Sequence, residues 1–163
     1  MIRVLLTNHV LSGALIGAVA RRPGLAFAAG VASHFALDAV PHWGDWGSNR
    51  RFLQVAVPDG LISLAAMGAV AALTPAERRP AVLAGMAGAA LPDIDKPTKL
   101  LFGWSPWPRA VDEFHQRIQP EASGRAHIEL LAAAGFAAAL SALRRPAARA
   151  DSSGPAGRQD RRG

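Results

Sequence analysis

Five apolar stretches, each ended by arginine, proline or glycine, constrain the fold of this 163-residue chain more than any other feature. None shows the strict alternation of apolar and polar residues that indicates a half-buried strand, and no hairpin turn signal joins paired β-branched runs. The sequence therefore predicts an all-α fold, a compact helical bundle of about five apolar helices. The stretches comprise residues 10–20, 25–40, 55–73, 81–91 and 128–143.

A proline-rich region and a basic tail complete the chain. Residues 96–125 contain four prolines among charged and aromatic residues, which predicts a long loop with one short helix over 108–118. The last 20 residues hold six arginines and two aspartates together with Pro, Ser and Gly. We therefore expect residues 1–143 to form a single helical domain and residues 144–163 to form a disordered basic tail.

Composition excludes several classes of function. The chain has no cysteine, so disulfides, thiol catalysis and cysteine-ligated metal sites are excluded. Of the net charge of +6, the tail carries +4, which leaves the body near neutral. Because no recognition motif accompanies the basic residues, we expect no nucleic-acid partner. Glycine-rich phosphate loops and a Gly-x-Ser-x-Gly motif are also absent.

The high apolar content points to a membrane. Half of the residues are hydrophobic, and the stretch 55–73 would span about 28 Å as a helix, close to the thickness of the hydrocarbon core. We expect a bundle embedded in a membrane, with lipid as a partner and homo-oligomers as a possible assembly. The alternative is an alanine-rich core of a soluble helical protein. Small residues four apart, such as Gly13 and Gly17 or Gly85 and Ala89, favour close helix packing.

Two ionisable residues lie inside an apolar stretch. His34 and Asp38 are four residues apart, so on a helix they project from one face. Burying both groups is costly unless each has a partner, and a divalent cation is one such partner because imidazole and carboxylate can ligate the same ion. His42 follows one turn later as a candidate third ligand. The alternative is a hydrogen-bonded His–Asp pair that joins two helices.

Further candidates stand at the ends of apolar stretches. Asp93 and Asp95 follow the fourth stretch, where carboxylates oppose the helix dipole, so a cation explains them better than helix capping does. A solvated turn with Lys96 as the counterion is the alternative. His9 opens the first stretch and is either a further ligand or a contact at the helix end.

Two residues are candidate catalytic groups. Asp59 could act as a base toward a metal-bound water, although an acidic residue near a helix N-terminus is favourable without any catalytic role. His115 lies on the predicted short helix of the loop. His127 and Glu129 are two residues apart and would not share a helical face, which makes them the weakest candidates.

Three short motifs resemble those of a known family. They are Thr7-Asn8-His9 followed by Gly13, His34-Phe35-Ala36-Leu37-Asp38, and Leu91-Pro92-Asp93-Ile94-Asp95. They resemble the motifs of small bacterial inner-membrane proteins classed as metal-dependent hydrolases, the YbcI-like family, although the second and third motifs stand in the reverse order here. More distantly, the run of His34, Asp38 and His42 is similar to zinc ligands of the zinc-dependent phospholipase C and P1 nuclease group. The resemblance implies an integral protein of the bacterial plasma membrane that uses a divalent metal, with zinc preferred.

The sequence thus supports two hypotheses. In the first, the chain is a membrane-associated, metal-dependent hydrolase of a phosphoester or lipid-like substrate. A metal ion together with Arg109 and Arg117, which are close to the candidate ligands in sequence, would suit a phosphate. In the second, it is a non-catalytic small integral membrane protein whose His and Asp residues are interhelical contacts. The candidate metal ligands are His9, His34, Asp38, His42, Asp93 and Asp95, and the candidate catalytic residues are Asp59 and His115.

Overall fold

The computed structural model describes residues 5–44, 48–119, 121–122 and 124–144, and these residues are mostly helical with very little strand. The all-α prediction is therefore confirmed. A single pair of two-residue strands, β1 and β2, runs in parallel within this part of the chain. The elements are α1 (Leu6–Ala20), α2 (Pro23–Asp38), β1 (His42–Trp43), α3 (Asn49–Leu73), α4 (Arg79–Ala90), a 3₁₀ turn (Leu91–Ile94), α5 (Asp95–Phe102), α6 (Arg109–Arg117), β2 (Glu121–Ala122) and α7 (Ala126–Arg144).

Two predicted boundaries are wrong. The helix α3 begins at Asn49 rather than at residue 55, because the Ser48 side chain accepts a hydrogen bond from the backbone N–H of Arg51 and caps the helix. The region 96–125 is not one long loop with a single helix, since it also contains most of α5. Pro97 lies in the first turn of α5, where its missing N–H costs no helical hydrogen bond. Residues 145–163, nearly all of the predicted tail, lie outside the described residues.

Glycines bring α1, α2 and α4 into backbone contact. A Cβ atom at Gly13 or at Gly85 would overlap the carbonyl oxygen of the other residue, which shows how closely α1 and α4 approach. Likewise, a Cβ atom at Gly30 would overlap the carbonyl oxygen of Gly85, and one at Gly88 would overlap that of Phe27, so α2 and α4 are also in backbone contact. The small residues whose spacing predicted close helix packing therefore do lie where helices meet. This tight three-helix unit provides a rigid frame for the side chains at its end.

The helices α3 and α7 leave large apolar side chains exposed. Within them, Arg50–Leu73 and Ala126–Leu143 are long and apolar enough to cross a bilayer, and only 17% and 11% of their apolar windows are buried. Leu61, Leu64, Leu130 and Leu131 are between 64% and 70% exposed. A surface of this kind suits contact with lipid or with another protein rather than with water.

Candidate metal centre

One end of the three-helix unit collects the buried ionisable side chains. His9 lies in the first turn of α1 at this end, α2 ends there with Asp38, and the 3₁₀ turn that follows α4 places Asp93 there. The helix α6 adds His115. All four residues, and His34 one turn before Asp38, are at most 8% exposed. The fold thus gathers in one place residues that the sequence distributes over 107 positions.

Four of these residues form a compact group of ligand atoms. One nitrogen or oxygen atom from each of His34, Asp38, Asp93 and His115 lies within 4.8 Å of the others. The His34 Nε2 atom lies 3.1 Å from His115 Nε2, 3.2 Å from Asp38 Oδ2 and 3.4 Å from Asp93 Oδ1. The His115 Nε2 atom lies 2.6 Å from Asp38 Oδ2 and 3.7 Å from Asp93 Oδ1. We refer to these four residues as the His–Asp cluster.

The spacing of the His–Asp cluster fits a tetrahedral ion. Two ligand atoms bound to zinc at about 2.0–2.1 Å and at the tetrahedral angle are about 3.3 Å apart. Of the six separations among the four cluster atoms, five run from 2.6 to 3.7 Å and so lie on both sides of this value, and the sixth, between Asp38 and Asp93, is within 4.8 Å. Two imidazole nitrogens and two carboxylate oxygens are a donor set that zinc accepts. The residues present therefore fit a divalent metal ion.

A backbone contact fixes the orientation of the His34 ring. The His34 Nδ1 atom lies 2.7 Å from the carbonyl oxygen of Ala89, and a carbonyl oxygen can only accept a hydrogen bond. The Nδ1 atom therefore carries a proton and donates it, which leaves the Nε2 lone pair of the neutral ring directed into the cluster. This hydrogen bond to the second nitrogen of a ligating ring is the arrangement that typically orients histidine ligands of metals.

Two neutral hydrogen-bond donors and one cation surround the His–Asp cluster. The Gln119 side-chain amide donates to Asp38 Oδ2 at 2.8 Å, and the Lys96 ammonium forms an ion pair with Asp93 Oδ1. Trp107 donates through Nε1 to the carbonyl oxygen of Pro92 at 2.9 Å, which holds the turn that carries Asp93. Burial raises the pKa of Asp38, but its interactions with His115, His34 and His9 lower it more, so that its pKa lies well below the ordinary range.

His9 and His42 lie outside the four-residue group. The His9 ring stacks on His34 with a centroid distance of 3.9 Å, and its Nε2 atom lies 3.3 Å from Asp38 Oδ1. Burial and the neighbouring His34 ring lower the pKa of His9 to about 4, so this ring is neutral at physiological pH. His42 is 2% exposed, and its Nδ1 atom lies 2.7 Å from the carbonyl oxygen of Val40. The Nε2 atom of His42 has no hydrogen-bond partner within the described part of the chain.

The argument that made Asp95 a candidate ligand is wrong. Asp95 does not follow a helix end that its charge opposes, because it is the first residue of α5, where the helix dipole favours an acidic side chain. Its carboxylate binds Lys99 at 2.9 Å, and Lys99 also binds Asp112 at 3.0 Å. Asp93, two residues earlier, is the member of the Asp-x-Asp motif that joins the His–Asp cluster.

Asp59 contacts the N-terminus of α1. Its carboxylate accepts hydrogen bonds from the backbone N–H groups of Leu6 and Thr7 at 2.6 and 3.3 Å, and from the Thr7 hydroxyl at 2.5 Å. It therefore caps α1, although it lies in the middle of α3 and not near the start of its own helix. Both carboxylate oxygens accept these bonds. The role of Asp59 as a catalytic base stays a prediction.

Glu129, one of the two weakest candidates by sequence, is a buried group. It is 3% exposed, and its Oε2 atom accepts hydrogen bonds from the Asn8 side chain at 2.6 Å and from the Leu5 N–H at 3.3 Å. Its Oε1 atom lies 3.4 Å from the backbone nitrogen of Trp43. It therefore ties α7 to α1 beside the His–Asp cluster. Arg109, a candidate phosphate-binding residue, pairs instead with Glu113 at 2.6 Å on the exposed face of α6.

No family model, curated protein or solved structure matches this chain. Similarity to a characterised relative therefore contributes nothing to the assignment of function. The ground for an assignment is therefore the geometry of the His–Asp cluster.

Proposed function

We propose that the protein is a membrane-associated hydrolase that uses a divalent metal ion, preferably zinc, held by the His–Asp cluster. The observation that carries this proposal is the convergence of two imidazole nitrogens and two carboxylate oxygens at ligand spacing in a buried position. Outside metal sites and catalytic sites, so many buried ionisable groups are rarely found together. The proposed substrate is a phosphoester or a lipid-like ester.

The apolar surface supports the membrane part of this proposal. We take α3 and α7 as the membrane-spanning helices, because they satisfy the length and composition of a span and expose their large apolar side chains. Glu129, beside the His–Asp cluster, lies in the first turn of α7. The proposed metal centre is therefore close to the end of one span, where lipid headgroups are found. The motif resemblance favours the bacterial plasma membrane as the location.

The protein groups around the His–Asp cluster have distinct proposed roles. A bound divalent ion would supply a water of lowered pKa and would polarise a phosphoryl oxygen. The Ala89 carbonyl holds the His34 ring in place, and Gln119 holds the Asp38 carboxylate. Lys96, which pairs with Asp93, brings a positive charge to the edge of the cluster, where it suits an anionic phosphoester.

A hydrolysis assay tests this function. We expect the protein, purified in mild detergent, to hydrolyse p-nitrophenyl phosphate or bis-p-nitrophenyl phosphate, to lose this activity after treatment with a chelator, and to regain it with zinc or manganese. The variant His115→Ala should be inactive. His115 lies on α6, outside the glycine contacts of the core, and His127→Ala is the matched control because His127 is exposed on α7. Activity that survives in His115→Ala would contradict the proposal.

The same contacts also favour a second candidate function. The Asp38 carboxylate interacts with side chains from α1, α6 and the segment that follows α6, and these interactions join the helices without any ion. In this case the protein is a small membrane scaffold and the His–Asp cluster is structural. The two candidates differ in the effect of a chelator on the unfolding of the wild-type protein, since only a metal-bound protein would be destabilised.

A further inference from the structure

A cavity of about 260 Å³ lies beside the His–Asp cluster. It lies between the start of α1, the first half of α3, the 3₁₀ turn and α5. Its walls are mainly apolar and include Leu6, Phe52, Leu53 and Val55. Two charged residues of the metal centre, Asp93 and Lys96, line the same cavity. A molecule in this cavity would therefore contact an apolar wall along most of its length and reach the metal centre at one point.

The cavity also borders the exposed apolar surface of the protein. Val57 and Leu100 line it and are 55% and 51% exposed, so its apolar lining continues to the outside. One turn further along α3, Leu61 is 64% exposed on the helix that we propose to span the membrane. A hydrocarbon chain could thus pass from lipid into the cavity without crossing water. This continuity favours a membrane lipid over a water-soluble apolar ligand.

Among the described residues that line the cavity, Lys96 is the one cation, beside the carboxylates of Asp59 and Asp93. The Asp59 carboxylate already accepts hydrogen bonds from the N-terminus of α1, which leaves Lys96 as the charged group that can receive an anion. The Lys96 side chain is 12% exposed, lines the cavity and forms an ion pair with Asp93 Oδ1. If Asp93 ligates a cation, the carboxylate charge is shared with that cation, and the Lys96 ammonium becomes available to another anion. An anionic headgroup at this position would contact both the ammonium and the metal centre.

We infer that the cavity receives the hydrocarbon chain of a phosphate-bearing membrane lipid, whose headgroup lies between Lys96 and the His–Asp cluster. This inference deepens the proposed function and rests on it for the role of the headgroup. It assigns the substrate to the class of anionic phospholipids, with the acyl chain held by α3 and α5.

Two glycines of α3 provide a matched pair of variants. A Cβ atom at Gly60, which lines the cavity, would meet no atom within 4 Å, so Gly60→Leu can fill the cavity without displacing the backbone. A Cβ atom at Gly68 also meets no atom within 4 Å, but Gly68 is exposed and is not part of the cavity wall. Both changes replace a glycine within the same helix, so their effects on helix propensity are comparable.

Photo-crosslinking in lipid nanodiscs tests the inference. The probe is a lysophosphatidic acid with a diazirine in its acyl chain, and labelled peptides are located by mass spectrometry. We expect saturable labelling of segments 52–60 and 96–100 in the wild type, a reduction of about tenfold in Gly60→Leu, and wild-type labelling in Gly68→Leu. We also expect Lys96→Ala to weaken labelling by this anionic probe. Equal labelling of the two leucine variants, or labelling spread evenly over the exposed faces of α3 and α7, would overturn the inference.

The crosslinking readout is independent of hydrolysis. If the probe labels the cavity but the protein shows no metal-dependent activity toward p-nitrophenyl esters, the proposed function fails and the cavity stands as a lipid site. If that activity is present and Gly60→Leu is labelled like the wild type, the function stands and the cavity assignment fails. Circular dichroism is the control for folding. Both leucine variants should have the helical spectrum of the wild type.

Discussion

The variant Asp38→Ala is expected to be inactive and to unfold with a free energy about 3–5 kcal/mol lower than that of the wild type. Asp38 is fully buried, and its carboxylate interacts with His9, His34 and His115. Removing it leaves three buried imidazoles without their common anion and removes one of the two carboxylates proposed to bind the metal. The effect should be measured by denaturant unfolding in mild detergent and by the hydrolysis assay on the same preparation.

Asp112→Ala is the matched control for this prediction. Asp112 is also a paired carboxylate, but it lies at the periphery, where it accepts a hydrogen bond from Ser105 and binds Lys99. Its removal should lower the free energy of unfolding by about 1 kcal/mol or less and leave activity intact. If Asp38→Ala matches Asp112→Ala in both stability and activity, Asp38 is not at the centre of the site.

Gly85→Leu is expected to prevent the stable association of α1 with α4. A Cβ atom at Gly85 would overlap the carbonyl oxygen of Gly13 and lie 3.1 Å from backbone atoms of Gly13 and Gly17, so the backbone of α1 blocks a side chain at this position. We expect the free energy of unfolding to fall by about 3 kcal/mol or more, because overpacking between two backbones cannot be relieved by a change of rotamer. Yield of folded protein and thermal unfolding followed by circular dichroism would measure the effect.

Gly135→Leu is the matched control for the packing prediction. Gly135 is an exposed residue of α7, and a Cβ atom there would meet no atom within 4 Å. This variant should be as stable as the wild type. If Gly85→Leu is equally stable, then α1 and α4 are not in backbone contact, and the frame that brings His9 and Asp93 together would be wrong.

The pattern of apolar residues predicted the apolar helices of the core but not the more polar helix α5. The all-α class and the helices rich in alanine and glycine follow from periodicity and from the breakers between stretches. The helix α5 did not follow, because Pro97 suggests a loop unless it is recognised as a first-turn residue. Asp95 and Lys99, which are four residues apart and paired at 2.9 Å, are the sequence signal that could have indicated a helix there.

The candidate site was predictable where its residues share a helix. His34 and Asp38 are close in sequence, so their spacing alone placed them on one face. The meeting of His115 and Asp93 with that pair depends on how α6 and the turn after α4 pack, which no local pattern encodes. For the same reason, sequence reasoning missed Gln119 as a donor to Asp38, the Ala89 carbonyl as the partner of His34, and Glu129 as a link between α7 and α1.

The metal content of the purified protein tests the central claim most directly. The protein should be isolated from the membrane fraction in mild detergent without chelator, and elemental analysis should compare the wild type with His34→Ala and His127→Ala. We predict about one equivalent of a divalent metal, preferably zinc, in the wild type and in His127→Ala, and its loss in His34→Ala. Folded wild-type protein that contains no divalent metal, and does not bind zinc when it is added, would contradict the account.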